Sequence, residues 1–233
     1  LRLSPSCDEA SSGDGSFQGA HALWNEQKIP VIGVPGTIDN DIYGTDYTIG
    51  FDTAVNTALE SLDRIRDTAA SHDRLFIVEV MGRDSGFIAV SVGLASGAEE
   101  VFIPERPVTV DQAIQQIQKG LQRGKKSSIL IAAEGQKPGR AYDLAEAIRK
   151  KAGYEAKVCI LGHVQRGGTP SAQDRVLAAR MGFEAVQLLT GGRTDVFTGL
   201  QNGNIVEVGL LEPIKHKKSV SQDLLNLARI LAQ

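Results

Sequence analysis

The sequence predicts a layered α/β fold built on mainly parallel sheets, and two observations carry that prediction. Short apolar, β-rich runs at 29–34, 75–80, 101–103, 129–133 and 158–161 alternate with helical patterns, as strand–helix–strand units do. The unusual polar residues also recur in one kind of place. Asp39, Arg83, Glu134 and the His163–Arg166 pair each stand just past the end of a predicted strand. Strand ends in a parallel sheet share an edge, and ligands of open α/β sheets bind in the crevice there. These residues are therefore expected to converge.

Bulk properties narrow the function classes. A chain of 233 residues can form one large or two small domains. Hydrophobic content of 42% and charged content of 23% are those of a soluble globular protein. The formal net charge of -3 argues against a general binder of nucleic acid or membrane surfaces, so an anionic ligand needs locally gathered cations. The sequence shows neither an apolar run of transmembrane length nor a signal segment. Cys7 and Cys159 form no disulfide framework, and four scattered His suggest no zinc site. Cys159 reads as a small core residue in an apolar run. A reducing cytoplasm fits this usage.

In chain order, residues 1–12 are polar and Ser-rich, a composition expected to be disordered at a terminus. Gly13-Asp14-Gly15-Ser16 then precedes a helix over 17–26. A Gly-rich turn before a helix suits a phosphate, through backbone N–H groups and the positive dipole end. Such a turn should follow a buried strand, and none precedes this one.

The run 29–34 leads into Pro35-Gly36-Thr37-Ile38-Asp39-Asn40-Asp41, with Gly44-Thr45-Asp46 beyond. This polar loop offers two readings: its acids serve a base or metal, or they only make turns and cap the next helix. That helix is expected from 51 to about 70, with Phe51, Ala54, Val55, Ala58, Leu59, Leu62 and Ile65 at helical spacing. After the strand at 75–80 come Met81-Gly82-Arg83-Asp84-Ser85-Gly86 and a helix over 87–95. Thr109 with Gln112 reads as a capping box, before a helix burying Ala113, Ile114, Ile117 and Leu121. Arg123, Lys125 and Lys126 close it, where cations oppose the dipole. Further helices are expected over 141–151, 171–189 and 222–231, and Asn202-Gly203-Asn204 should turn a hairpin between 196–200 and 205–208. Two acids, several cations and a Gly-rich turn suit a phosphorylated substrate and a metal–nucleotide.

Together these loops resemble the phosphofructokinase family, ATP-dependent enzymes that phosphorylate fructose 6-phosphate. The segments carrying the resemblance are GDGS at 13–16, PGTIDND at 35–41, GTDYTIGFDTA at 44–54, VEVMGR at 78–83, Glu134, and LGHVQRGG at 161–168. It implies two layered α/β domains, one from 1–50 and 165–213 and a smaller one from 51–164 and 214–233, with N-terminal strands missing. It further implies a truncated chain. The family carries a first strand and a nucleotide loop before GDGS, and here twelve unrelated residues stand there.

The roles it implies run position by position. Asp39 is the base for the sugar 1-hydroxyl, Thr37 lies beside the transferred phosphoryl group, and Arg83 stabilises developing charge. Ile38, Met81, Gly82, Arg83 and Glu134 contact the sugar phosphate, and His163 and Arg166 bind its 6-phosphate. Arg74 and Lys157 reach in from a neighbouring subunit of a homotetramer. Gly13, Asp14, Gly15 and Ser16 line the ATP phosphates, and Asp14 helps hold Mg²⁺. Arg66, Gly97, Glu99, Arg123, Lys125 and Lys126 match a site for ADP or another nucleotide or phosphate effector. Relatives using pyrophosphate carry Asp and Lys where Gly15 and Gly36 stand here, which favours ATP. Lys157 departs from the usual Arg of the family. Lys lacks the planar fork, so Lys157→Arg is expected to tighten sugar-phosphate affinity in a titration, and an unchanged affinity would refute this. Beside the kinase reading stand a chain without turnover that retains sugar-phosphate or effector binding, and a pyrophosphate-dependent enzyme.

Overall fold

A computed structural model of the chain describes residues 14–69, 74–124, 127–136 and 138–231. In chain order the first elements are α1 (Asp14–Gln27), β1 (Ile32–Gly33), β2 (Gly36–Thr37), β3 (Ile49–Gly50) and α2 (Phe51–Ala69). Next come β4 (Arg74–Val80), α3 (Phe87–Ser96), β5 (Glu100–Phe102), α4 (Val110–Gln122), β6 (Ser127–Ala133), α5 (Arg140–Ala152) and β7 (Ala156–Ile160). A 3-10 helix (Gly162–Arg166) leads into α6 (Ala172–Thr190), β8 (Val196–Gln201), β9 (Asn204–Gly209), α7 (Glu212–Lys215) and α8 (Gln222–Leu231).

Every helix and strand expected from the sequence is present, with two shifts. The run 29–34 keeps strand structure only at 32–33, because Pro30 and Pro35 lack the N–H a ladder needs. The turn expected at 13–16 is, from Asp14 onward, the first turn of α1. Asp and Ser suit that position, where a carboxylate favours the dipole and the first N–H groups lack helix partners.

Contacts divide the chain into two units. Unit 1 comprises Leu1–Asp52 with Pro170–Lys218, and unit 2 comprises Thr53–Thr169 with Ser219–Gln233. The crossings thus fall after 52, 169 and 218 rather than after 50, 164 and 213. Three contacts explain most of the difference. Gln165 Oε1 accepts the Met81 N–H at 2.8 Å, binding the 3-10 helix to the end of β4. His216 stacks on Tyr43 with ring centroids 5.0 Å apart, and the Lys218 ammonium donates to the Asp46 carbonyl at 2.9 Å, so residues 214–218 stay with unit 1.

Unit 2 is built on a parallel four-stranded sheet in the order β5-β6-β4-β7. Its central strands are buried on both faces, so they read as continuous apolar runs rather than alternating ones. On one face Leu75, Ile77, Leu130 and Ala132 pack with Ala113, Ile114 and Ile117 of α4 and with Ala141 and Ile148 of α5. Toward the other, α3 packs on β6 and buries Ile88, Ala89 and Val92. The Thr109–Gln112 capping box forms as expected. Leu121 does not bury: it is 40% exposed, and Gly120 takes the inward place.

Unit 1 holds a three-stranded sheet, β1-β8-β9, with β1 parallel to β8 and β8 antiparallel to β9. Asn202 (φ 50) and Gly203 (φ 82) turn the hairpin, as a primed two-residue turn demands. Phe17, Ile42, Phe197 and Leu210 form its core, with the Phe17 and Phe197 rings 5.0 Å apart. Gly33 is required there, because a Cβ would stand 2.8 Å from atoms of both rings' side chains. Among the described residues no helix is long and apolar enough to cross a membrane.

Candidate active site

The loop of unit 1 that carries Asp39 is closed at its base and pinned along its length. Gly36 and Thr37 pair in parallel with Ile49 and Gly50, and the Ile49 N–H donates to the Pro35 carbonyl at 2.9 Å. Inside the loop, Asn40 takes a left-handed backbone (φ 53), which Asn tolerates better than most residues. From there its Oδ1 accepts the Thr48 N–H at 3.0 Å and its Nδ2 donates to the Asp46 carbonyl at 3.1 Å. Thr48 Oγ1 donates to the Thr37 carbonyl at 2.7 Å, and Thr37 Oγ1 accepts the Asp39 N–H at 3.2 Å. Thr45 Oγ1 accepts from Leu200 N–H and Asp46 Oδ2 from Asn202 N–H, at 2.9 and 2.8 Å. Asn40, Thr45 and Thr48 are buried, so each bond has a desolvated alternative that would be costly to leave unmade.

Of the two readings of this loop, these bonds bear on the turn-making one. Asn40, Thr45 and Thr48 take part in the turns through their side chains. At the start of α2, the Gly50 N–H is taken by Asp174 Oδ1 at 2.9 Å. Asp39 lies buried between these supports, 7% exposed. A carboxylate held so firmly can accept a proton from a bound hydroxyl without reorganising.

In unit 2, the ends of β4, β6 and β7 share an edge. They bring together Met81-Gly82-Arg83, Glu134 and the 3-10 helix with His163 and Arg166. The β4 end turns sharply, with Gly82 at φ 143 and Arg83 at φ 47. Gly82 is obligatory, because a Cβ would approach the Ser85 carbonyl oxygen to 2.5 Å. The turn aims the backbone N–H groups of Gly82 and Arg83 at the Glu134 carboxylate. Burial pushes the Glu134 pKa up and the nearby Glu79 charge adds to this, while those N–H groups and the Arg166 guanidinium draw it down. The result is a buried acid ringed by donors, beside the exposed side chains of Arg83, His163 and Arg166. An acid that accepts hydroxyls beside cations that hold a phosphate matches a sugar phosphate.

A carboxyl whose pKa rises on folding stabilises the fold below its unfolded pKa and loses that contribution as pH rises through the folded value. Glu134→Gln should remove this slope. Measured by thermal unfolding, the stability of the variant relative to the parent should rise as pH climbs above the ordinary carboxylate value. A constant or falling difference would overturn the assignment.

The single shared edge expected for all the polar residues therefore divides. Arg83, Glu134, His163 and Arg166 share the edge of the unit 2 sheet, whereas Thr37, Ile38 and Asp39 belong to the pinned loop of unit 1. Alternating strands and helices do not reveal which strands share a sheet. Arg74 opens β4 and Lys157 pairs opposite Phe76, so both lie toward the starts of the strands, away from that edge. Lys157 is exposed. Gly15 and Ser16 lie in the first turn of α1, which Asp14 opens, and Gly13 lies outside the described residues.

Among the effector residues, Arg66 in the last turn of α2 donates to the Ser96 carbonyl, beside Gly97, which caps α3 in a left-handed conformation. Glu99 is buried and accepts the Ile129 N–H at 2.5 Å. Arg123 caps α4 and is exposed, while Lys125 and Lys126 lie outside the described residues. Burial pushes the Cys159 thiol up, which disfavours thiolate chemistry there.

Sequence reasoning missed the residues that hold these groups in place. Gln165, fully buried, fastens Met81 N–H and donates from Nε2 to the Ala54 carbonyl at 3.4 Å. Glu79 accepts the Gly139 and Ala141 N–H groups at 2.8 Å each, capping α5 from a strand. Its signal was visible as a charge inside an apolar run. Asp174 follows Ser171 by three residues, a helix-start pattern.

Among the described residues no group of three or more His, Cys, Asp or Glu could hold a metal ion.

Comparison with known proteins points to one family. The family model described as phosphofructokinase matches residues 10–189. The chain is 54% identical to ATP-dependent 6-phosphofructokinase 1 of Thermus thermophilus, over 96% of this chain and 69% of that protein. It is 53% identical to ATP-dependent 6-phosphofructokinase of Brevibacillus brevis, over 94% of this chain and 68% of that one. The solved phosphofructokinase of Saccharomyces cerevisiae superposes with a TM-score of 0.80 at 35% identity, covering 87% of this chain and 31% of that chain.

Proposed function

The chain belongs to the phosphofructokinase family, among the ATP-dependent 6-phosphofructokinases, and from that premise we propose how its residues divide the work of phosphoryl transfer. The reaction moves the terminal phosphoryl group of ATP to the 1-hydroxyl of fructose 6-phosphate. The observation that carries this division is the edge of the unit 2 sheet, where Glu134 is held by the Gly82 and Arg83 N–H groups beside exposed Arg83, His163 and Arg166. His163 and Arg166 take the 6-phosphate, and Met81, Gly82 and Glu134 take the sugar. Arg83 turns its charge to the transferring group.

Asp39 accepts the proton of the 1-hydroxyl as the new O–P bond forms, with Thr37 and Ile38 beside it. Phosphoryl transfer asks the protein mainly for an oriented nucleophile and charge stabilisation, and the pinned loop supplies the first. Gly13, Asp14, Gly15 and Ser16 serve the donor phosphates at the start of α1. Asp14 would help hold Mg²⁺ there, and the ion would neutralise the charge of those phosphates.

Gly36 supports ATP as donor. A Cβ there would meet open space and its φ is not left-handed, so neither packing nor backbone demands glycine. The missing side chain leaves room for a nucleotide. Arg74 and Lys157 lie away from the shared edge, which supports their use in a neighbouring subunit and hence a homotetramer. Arg66, Gly97, Glu99, Arg123, Lys125 and Lys126 serve a nucleotide or phosphate effector, and the setting is the cytoplasm.

A coupled assay on the purified chain, with ATP or pyrophosphate as donor, tests the reading. ATP-dependent turnover lost on Asp39→Ala supports it. Turnover with pyrophosphate alone, or turnover indifferent to Asp39, overturns it, and fructose 6-phosphate binding without turnover leaves a binding chain.

A further inference from the structure

We propose that Lys218 is a positioning residue for the loop that carries Asp39, acting through the Asp46 carbonyl. The inference rests on Asp39 being the base. Lys218 stands between α7 and α8, in a stretch that carries none of the sequence motifs. It is the last residue of unit 1 before the chain crosses to unit 2.

Its ammonium donates to the Asp46 carbonyl oxygen at 2.9 Å, and the same oxygen accepts Asn40 Nδ2 at 3.1 Å. The two donors fill both lone pairs of one acceptor. Asn40 is the residue between Asp39 and Asp41, and its Oδ1 holds the Thr48 N–H. One shared oxygen therefore joins Lys218 to the side chain that shapes the backbone on either side of Asp39. The acceptor is itself fixed, because Asp46 N–H donates to the Leu200 carbonyl at 2.7 Å and Asp46 Oδ2 accepts from Asn202.

Charge makes lysine the right residue. Asp46 and Asp41 both lie near enough to favour a positive charge on Lys218, and neighbouring carboxylates repel unless a cation lies among them. The charges facing Lys218 are Asp46 and Asp41, which favour its ammonium, against the burial that brings its pKa down to about 8. Its own segment adds Lys217, and His216 stacked on Tyr43 of the loop. Lys218 thus holds its charge at neutral pH and gives it up just above.

Kinetics of Lys218→Met and Lys218→Arg test the idea. Lys218→Met should lower kcat roughly ten- to a hundredfold, the scale of a small misplacement at the reacting centre, with little change in KM for fructose 6-phosphate. Lys218→Arg should restore most of it. The parent's kcat should fall as pH rises through about 8, and the always-charged Arg variant should lose that fall. A Met variant with unaltered kcat, or an Arg variant with the same alkaline limb, overturns the proposal while leaving Asp39 as base. A parent without turnover defeats the functional reading instead, and amide exchange then decides the role of Lys218. Lys218→Met should speed exchange at Thr48 and Ile49 but not within β6, and unchanged exchange in the loop overturns it.

Discussion

Replacing Asp39 with Asn is expected to lower kcat by roughly 10²- to 10⁴-fold, the range of general-base contributions. KM for fructose 6-phosphate should change only a few-fold and the unfolding temperature hardly at all. Asn has the volume of Asp but no carboxylate to take a proton. The fold should tolerate the exchange because Asn keeps the shape of Asp and the other supports of the loop remain. The Asp39 N–H, which donates to Thr37 Oγ1, is kept, and Asn40, Thr45 and Thr48 still hold the loop shut. Steady-state kinetics beside thermal unfolding separate the two quantities. A loss in kcat below about tenfold would remove Asp39 from the role of base. A loss matched by a large fall in unfolding temperature would make it a structural residue.

Much of the fold could be read from the sequence, because hydrophobic periodicity reports burial, and burial is what builds the elements. The runs at 75–80, apolar but for Glu79, and at 129–133 are the central strands of the unit 2 sheet, buried on both faces. Placement past the strand ends also found the cluster of Arg83, Glu134, His163 and Arg166. What periodicity could not report was partnership. β1 pairs with β8 from the far end of the chain, a partnership that no period shows. β2 and β3 are two residues each, too short to show any period. The amphipathic pattern of α4 included Leu121 because it fixes the direction of a buried face but not its width. Side chains that bond backbone groups, such as Asn40, Thr48 and Gln165, leave no periodic trace. Glu79 is the exception, since an acid inside an apolar strand must have a buried partner to be tolerated.

Gln165→Leu should cost about 1–3 kcal/mol of stability, the penalty for leaving a buried donor unpaired, and should raise KM for fructose 6-phosphate about tenfold with a smaller effect on kcat. Leu matches the packing of this fully buried side chain but cannot accept the Met81 N–H. The consequence runs along the chain. Met81 precedes Gly82 and Arg83, whose N–H groups hold the Glu134 carboxylate, and Gln165 itself precedes Arg166. Loosening that one hydrogen bond therefore frees both sides of this edge together; if the edge binds the sugar phosphate as proposed, uniform loss of ground-state and transition-state binding should appear in KM. Gln165→Glu separates the two halves of the staple. It keeps an acceptor for Met81 but turns a second acceptor toward the Ala54 carbonyl, so it should lose stability while holding KM closer to the parent. Stability lost in both variants with KM unchanged would mean that Gln165 supports the fold alone, and that the sugar phosphate is bound somewhere other than the edge it organises.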